Sequence, residues 1–311
     1  MAKDYPAPQG IECYRGNVNT WECDEMGHMN VRFYVAKAEE AIVVLLAEMG
    51  YSPAELTRQN LRALSMDYHV RFLAELHPGA GVYAHAGILE ARGDHLRIFV
   101  DLRHVSSHVP AATFNALVQL QDDTDRSLSW PPSVIAAAEK HMVELPDFAA
   151  PRSLDLEPTR ANATKEESER LELHQINLGI VHRDQCDLTG EMKAEWFMGR
   201  VSDGIGNLIR NYNPERGQKG STVGGAALEY RIIIRKRPRP GDILAVRSGL
   251  AEVGDKTIRM CHWMLDMETG EAVATMAAAA ASFDIAERKI IPNDDARKAA
   301  MQKHIVEGLA I

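Results

Sequence analysis

The stretch GNVNTWECDEMGHMNVRFY, residues 16–34, recurs loosely as GIVHRDQCDLTGEMKAEWF at residues 179–197. Equivalent positions are separated by 163 residues, and six of the nineteen pairs are identical, where composition alone would give about one. The identical pairs are Gly16/Gly179, Val18/Val181, Cys23/Cys186, Asp24/Asp187, Gly27/Gly190 and Met29/Met192. The sequence therefore predicts an internal duplication and two similar halves of one architecture.

A second set of repeated residues, at an offset of 162, supports the duplication. Its pairs are Tyr68/Tyr230, Pro78/Pro240, Gly79/Gly241, Glu90/Glu252, Ala112/Ala274 and Thr113/Thr275. A length of 311 residues also suits two domains of ordinary size. We expect a first domain over 8–148, a polar connector crossing the surface over 149–171, a second domain over 172–292 and a C-terminal helical tail over 293–311.

Each half is expected to contain one long helix followed by a meander of strands. Apolar residues recur every three or four positions from Val31 to Met49, with Asn30 as a plausible N-cap and Gly50 at the end. The equivalent helix near 197–209 contains several glycines and is expected to be less regular. The strands are predicted at 63–73, 81–91, 96–104 and 111–120, and again at 226–234, 243–251, 258–266 and 272–283.

Composition excludes several classes of function. A net charge of −9 disfavours general binding to nucleic acid or to anionic membranes. No apolar run approaches the length of a membrane span, and the amino-terminus lacks the pattern of a signal peptide, so we expect a cytoplasmic protein. The four cysteines have no CxxC spacing, and the HRDQCD segment alternates faces along a strand, so neither disulfides nor a metal site is expected.

The Cys-Asp-x-x-Gly-His-x-Asn pattern, the long apolar helix directly after it and the strand meander together resemble the hotdog-fold acyl-CoA thioesterases, in particular the 4-hydroxybenzoyl-CoA thioesterase-like group. The residues that carry the resemblance are Asp24, Gly27, His28, Asn30 and Tyr34. The resemblance implies an α+β fold of two tandem hotdog domains, each an antiparallel sheet wrapped around a long central helix. It also allows two such double-hotdog chains to pair as a homodimer.

By the same resemblance, the chain is expected to hydrolyse an acyl-CoA substrate to a carboxylic acid and coenzyme A, without a metal or redox cofactor. Asp24 would attack the thioester carbonyl or activate water, and the sequence does not choose between these roles. Backbone N–H groups at the start of the long helix would stabilise the oxyanion. Gly27 and Tyr34 are expected to contact the substrate.

The neighbours of Asp24 each have a catalytic and a structural interpretation. His28 would position or protonate the leaving thiolate, or it is a hydrogen-bonded structural imidazole. Asn30 would orient water or the thioester oxygen, or it only caps the helix. Gly27 lets the backbone bend closely past a substrate, although an ordinary turn requires glycine just as often.

The second half departs from this pattern, because Glu191 stands in place of His28 and Lys193 in place of Asn30. Either this half has become scaffold, or it is the working site with Asp187 and Glu191 as a carboxylate pair. We favour a principal site around Asp24.

The one concentrated basic segment of the chain, RIIIRKRPR at 231–239, also lies in the second half. Arg235, Lys236 and Arg237 are predicted to bind the phosphates of coenzyme A, the alternative being solvated charges at a strand edge. Two other functions remain open. One is a hotdog-fold dehydratase or hydratase that uses His28 with an acid from the opposite unit, and the other is a non-catalytic acyl-CoA-binding protein.

Overall fold

The computed structural model describes residues 5–157, 161–212, 223–284, 286–287 and 289–311. The chain divides between Pro151 and Arg152 into two compact units. Within the described residues, no helix is both long enough and apolar enough to cross a membrane. The four cysteines are free thiols.

The first unit is an antiparallel sheet with one long helix packed on it. Its helices are α1 (Val31–Glu48), α2 (Pro53–Arg58) and α3 (Pro132–Ala138), and its strands are β1 (Ile11–Asn17), β2 (Leu61–Phe72), β3 (Gly81–Ala91), β4 (Leu96–His104), β5 (Pro110–Asp122) and β6 (Ser127–Leu128). The strand order is β1-β3-β4-β5-β2, with β6 paired to β5. The four strands predicted in this half are thus confirmed to within two residues at each end.

The second unit repeats this plan. Its helices are α4 (Lys165–Arg170), α5 (Glu195–Tyr212) and α6 (Asp295–Gln302), and its strands are β7 (His174–Ile180), β8 (Val223–Ile234), β9 (Ile243–Val253), β10 (Ile258–Asp266), β11 (Ala272–Asp284) and β12 (Lys289–Ile291). The strand order is β7-β9-β10-β11-β8, with β12 paired to β11. Both halves therefore share the strand order and the long helix that follows the first strand.

The strand register shows that the duplication is present in the structure as well as in the sequence. In the first unit Val100 of β4 pairs with Phe114 of β5, and in the second His262 of β10 pairs with Met276 of β11. These partners are related by the offset of 162 found in the sequence.

The segment 149–171 differs from the expected surface connector. Backbone N–H groups of Arg152 and Ser153 donate to the Glu229 carboxylate at 3.0 and 2.8 Å. Leu154 and Ala163 lie in a buried cluster that also contains aromatic and aliphatic residues of β10 and β11. From Arg152 onward the described part of this segment therefore contributes to the core of the second unit, because apolar side chains such as Leu154 and Ala163 are covered there. Residues 158–160 lie outside the described residues.

Helix α1 follows its sequence pattern, and its buried side packs on β1, β3 and β4. The buried apolar residues are Tyr34, Val35, Ala38, Ala41, Ile42, Leu45 and Leu46. Helix α5 is a continuous helix of 18 residues, as α1 is, so the predicted irregularity was wrong. Packing on β7 compensates for the low helix propensity of its glycines, and Gly204 lies so close to β7 that a Cβ would be 2.5 Å from the Ile176 carbonyl oxygen.

We expect Gly204→Ala to lower the free energy of unfolding by about 1–3 kcal/mol, because the added methyl group overlaps the Ile176 backbone. Gly206→Ala, two residues along the same helix at an exposed position, should raise it by about 1 kcal/mol. Urea denaturation of the two variants measures both effects. Stabilisation by both substitutions would contradict the close approach of α5 to β7.

A polar pair interrupts the interior of the second unit. His262 in β10 and Ser248 in β9 are register partners, both fully buried, and Ser248 Oγ lies 2.8 Å from His262 Nδ1. Tyr230 stacks on the imidazole, and no hydrogen-bond partner reaches His262 Nε2 within the described chain. Burial lowers the pKa of His262 to about 3, so the folded protein holds this ring neutral. The first unit has Ala86 and Val100 at these two positions.

This pair should make stability depend on pH. Between a pKa near 6.5 in the unfolded chain and about 3 in the folded one, the unfolded state binds more protons, so stability falls as the pH falls. Replacing the pair by the residues of the first unit, in Ser248→Ala with His262→Val, should reduce that slope by about 1.4 kcal/mol per pH unit in the range of about pH 5.5 to 4. Urea denaturation across this range checks the slope, and an unchanged slope would contradict a neutral buried His262.

Candidate active site

The acid-bearing loop of the first unit, residues 23–29, is a tight turn held by backbone hydrogen bonds. The Asp24 N–H donates to the His28 carbonyl and the Gly27 N–H donates to the Asp24 carbonyl, both at 3.0 Å. Gly27 adopts a φ of 77°, which glycine tolerates best. The Met29 N–H donates to the Leu76 carbonyl at 2.7 Å and so fastens the loop to the segment that follows β2.

The strand that precedes this loop does not reach Cys23 and Asp24. β1 ends at Asn17, and a 3₁₀ turn at Thr20–Glu22 separates it from these residues. Asn19 and Glu22 form a capping box around the turn, which ends the strand.

The second unit has the same backbone frame. The Asp187 N–H donates to the Glu191 carbonyl at 2.8 Å, the Gly190 N–H donates to the Asp187 carbonyl at 3.1 Å, and Gly190 has a φ of 82°. The Met192 N–H donates to the Pro238 carbonyl at 2.7 Å, as Met29 does to Leu76. The two loops therefore differ in their side chains and not in their fold.

The Asp24 side chain is 19% exposed and faces a histidine. Its Oδ1 accepts from the Met26 N–H at 2.9 Å, and its Oδ2 lies 3.4 Å from His28 Nδ1. Burial raises the pKa of the Asp24 carboxyl above its ordinary value, while the charge of His28 and the Met26 N–H oppose that rise. A carboxylate in this environment is a stronger base than one in water.

Two residues that the sequence analysis missed complete the surroundings of His28. Its Nε2 lies 3.9 Å from Glu75 Oε1, and Glu75 Oε2 lies 3.9 Å from His77 Nε2. The His77 Nδ1 is 3.0 Å from the Gly27 carbonyl oxygen. The available signal was positional, since Glu75 and His77 immediately precede the repeated Pro-Gly pair at 78–79.

Asp187, the acid of the second loop, accepts hydrogen bonds from its own turn. Asp187 Oδ1 accepts from the Thr189 N–H at 2.8 Å, the Thr189 hydroxyl at 2.7 Å and the Glu191 N–H at 3.1 Å. Glu191 is buried, with its Oε1 3.5 Å from the Arg239 guanidinium. This arrangement favours a structural role for the loop over a catalytic carboxylate pair.

The predicted phosphate-binding cations are not equivalent in position. Arg237 is buried, and its guanidinium donates to the Met192 carbonyl at 3.3 Å. Arg235 and Lys236 are exposed; Arg235 donates to the Thr275 hydroxyl at 3.4 Å, and Lys236 Nζ is 3.5 Å from Asp266 Oδ2. Arg235 and Lys236 therefore remain accessible to a ligand, whereas Arg237 supports the second loop.

The structure also places Asn30 and Tyr34 in contacts with the chain itself. Asn30 is the N-cap of α1, and its Oδ1 accepts from the Arg32 N–H at 3.0 Å. Tyr34 is buried, packs edge-on against Phe72 and donates its hydroxyl to the Ala74 carbonyl at 3.3 Å. Burial raises the pKa of Tyr34 above its ordinary value. These contacts place Tyr34 in the core instead of on an open substrate surface.

A buried cation on the long helix holds the 3₁₀ turn that precedes each loop. Lys37 Nζ lies 2.7 Å from Glu22 Oε1 and donates to the Tyr14 hydroxyl at 3.2 Å. Burial opposes the Lys37 charge, but these hydrogen bonds outweigh it and raise the Lys37 pKa above its ordinary value. At the equivalent place in α5, Arg200 donates to the Gln185 side-chain oxygen at 3.2 Å and to the Ile180 carbonyl at 2.6 Å.

Lys37→Met should lower the free energy of unfolding by about 3–5 kcal/mol, because it leaves the buried Glu22 carboxylate without its cation. The combined change Glu22→Gln with Lys37→Arg, which reproduces the Gln185–Arg200 pair of the second unit, should cost about 1–2 kcal/mol less than Lys37→Met. Chemical denaturation measures both. Equal losses in the two variants would show that the ion pair does not hold this turn.

Comparison with known proteins identifies the family. The model of the thioesterase-like superfamily matches the chain twice, at residues 18–138 and 181–309. The chain therefore belongs to the thioesterase-like superfamily. No curated protein matches the sequence significantly.

Solved structures with a similar fold span most of the chain. A protein described as an oleoyl thioesterase from Lactobacillus plantarum has a TM-score of 0.66 at 11% identity and covers 87% of this chain and 96% of its own. The 12:0-ACP thioesterase from Umbellularia californica has a TM-score of 0.65 at 11% identity, covering 86% and 93%. An acyl-ACP thioesterase from Bacteroides thetaiotaomicron has a TM-score of 0.61 at 10% identity, covering 86% and 96%. The expected fold of two tandem hotdog domains is confirmed.

Proposed function

We propose that this protein hydrolyses an acyl-CoA thioester to a carboxylic acid and free coenzyme A, with Asp24 as the base or nucleophile. Membership of the thioesterase-like superfamily supports thioester chemistry. The observation that carries the assignment to the first unit is the environment of Asp24, a largely buried carboxylate of raised pKa facing His28. In the second loop, Asp187 instead accepts three hydrogen bonds of its own turn on one oxygen.

The reaction breaks the carbon–sulfur bond of the thioester and forms a carbon–oxygen bond. With Asp24 as general base, water attacks the carbonyl carbon while Asp24 removes one of its protons. With Asp24 as nucleophile, an acyl-aspartyl anhydride forms first and water then hydrolyses it. Both routes place one proton of water on the released thiol and leave the other with the acid. Each route requires ionised Asp24, so activity falls as the pH drops through its raised pKa.

Coenzyme A is the carrier that the exposed cations favour. Arg235 and Lys236 lie at the end of β8 in an otherwise acidic chain, and guanidinium and ammonium groups bind phosphate well. Three structurally similar proteins are named as oleoyl or acyl-ACP thioesterases, which supports an acyl thioester substrate while leaving a carrier protein as the alternative carrier.

Asp24→Asn should lower kcat/KM for thioester hydrolysis by about 100-fold or more, because the amide neither accepts a proton from water nor attacks the carbonyl. Asp187→Asn is the matched control, since its Oδ1 still accepts the three hydrogen bonds of the second loop, and its kcat/KM should stay within about 3-fold of the parent. Thiol release from saturated, aromatic and unsaturated acyl-CoAs measures both.

The remaining outcomes each replace one part of the proposal. Loss of hydrolysis only in Asp187→Asn would move the site to the second unit. Release from acyl carrier protein but from no acyl-CoA would replace coenzyme A as the carrier. No release from any thioester by the parent protein would overturn the hydrolase assignment.

A further inference from the structure

Both ring nitrogens of His28 face carboxylates. Nδ1 is 3.4 Å from Asp24 Oδ2, and Nε2 is 3.9 Å from Glu75 Oε1. The ring is 17% exposed, so these two charges act across a partly dehydrated space. At both distances a carboxylate attracts an N–H group of the ring. Because 3.9 Å is too long for a hydrogen bond, the Nε2 proton is not committed to Glu75.

The titratable groups around His28 lie on three elements. They are Asp24 and Glu25 on the loop, Tyr34 on α1, and Glu75 and His77 after β2. The half-exposed ring of His77 contacts Glu75 and the Gly27 carbonyl oxygen. Glu75 is the residue after β2 whose carboxylate lies 3.9 Å from the imidazole.

The second unit reverses these charges on the same backbone frame. Glu191 replaces His28, and Arg237 and Arg239 replace Glu75 and His77. The equivalence is fixed by the backbone hydrogen bond from Met192 to Pro238, which matches that from Met29 to Leu76. Glu191 faces the Arg239 guanidinium at 3.5 Å. Thus Glu191 faces a cation from the segment after β8, whereas His28 faces an anion from the segment after β2.

We propose that Glu75 is a positioning residue that keeps His28 protonated, and that His28 donates its Nε2 proton to the leaving thiolate. This inference rests on the proposed thioesterase function. As the carbon–sulfur bond breaks, the sulfur takes the proton from His28, and Asp24 holds the proton taken from water. Nδ1 keeps its own proton during this step, so Nε2 takes a new proton from solvent water and Asp24 releases the proton it holds to solvent, which restores both groups. No oxidant, reductant or further reactant is required.

The test combines a direct titration with a rate profile. The His28 Cε1–H proton signal, assigned by its absence in His28→Asn, is titrated by NMR in the parent, Glu75→Gln and Glu75→Arg. Glu25→Gln is the matched control, because it removes the same charge from the exposed loop residue beside Asp24. The pH dependence of kcat/KM is measured on the same four proteins with an acyl-CoA.

Glu75→Gln should lower the His28 midpoint by about half a pH unit, and Glu75→Arg should lower it further, because an anion is first removed and then replaced by a cation. The alkaline limb of the kcat/KM profile should shift to lower pH by the same amount. Glu25→Gln should shift the His28 midpoint and this limb by less. An unchanged His28 midpoint in a folded Glu75→Gln protein would overturn the role of Glu75. A shifted midpoint with an unmoved alkaline limb would overturn the role of His28 as donor.

Failure of the proposed function gives a different result. If the parent hydrolyses no thioester, the thioesterase assignment falls, yet the NMR midpoints still decide whether Glu75 controls the charge of His28. If Asp24→Asn alone keeps full activity, the base is elsewhere, and the alkaline limb of Glu75→Gln still decides whether His28 donates.

Discussion

One backbone hydrogen bond in each unit, from Met29 to Leu76 and from Met192 to Pro238, brings the functional side chains together. It joins the acid-bearing loop to a segment some fifty residues further along the chain. In the first unit, the contact of His77 Nδ1 with the Gly27 carbonyl joins the same two segments, so that Asp24 and His28 are fixed in relation to Glu75. The buried Lys37 and Arg200 hold the 3₁₀ turn that precedes each loop.

The two units show how one backbone frame carries two electrostatic designs. In the first unit, the partly buried carboxylate of Asp24, whose pKa burial raises, faces the imidazole of His28. In the second, Asp187 is a turn acceptor, and Glu191 lies beside the permanently charged Arg239. Arginine keeps its charge near neutral pH, so the contact between Glu191 and Arg239 joins two groups of opposite charge.

The sequence predicted the fold well, since hydrophobic periodicity and turn residues are local signals. Helix α1 begins at Val31 as its N-cap Asn30 indicated, and the predicted strands agree closely with the observed ones. The errors concern features set by tertiary contacts. The regularity of α5 depends on packing against β7, and the burial of Arg237 depends on the carbonyl of Met192.

For the same reason, only part of the candidate site could be predicted from the sequence. Asp24 and His28 lie four residues apart, and their pairing follows from the turn that Gly27 allows. Glu75 and His77 have no local motif, and their relevance appears only when the segment after β2 is placed against the loop. The repeat itself contained the clue, because acid and histidine in one half stand where two arginines stand in the other.

The tandem arrangement has a consequence for how such a protein evolves. When identical subunits associate, a substitution in the gene appears in every copy, so an altered loop cannot coexist with an unaltered one. Here the two loops are encoded separately, and the replacement of His28 by Glu191 in the second leaves the first intact. Fusion into one polypeptide thus allows specialisation of one half under relaxed selection, at a fixed ratio of one to one.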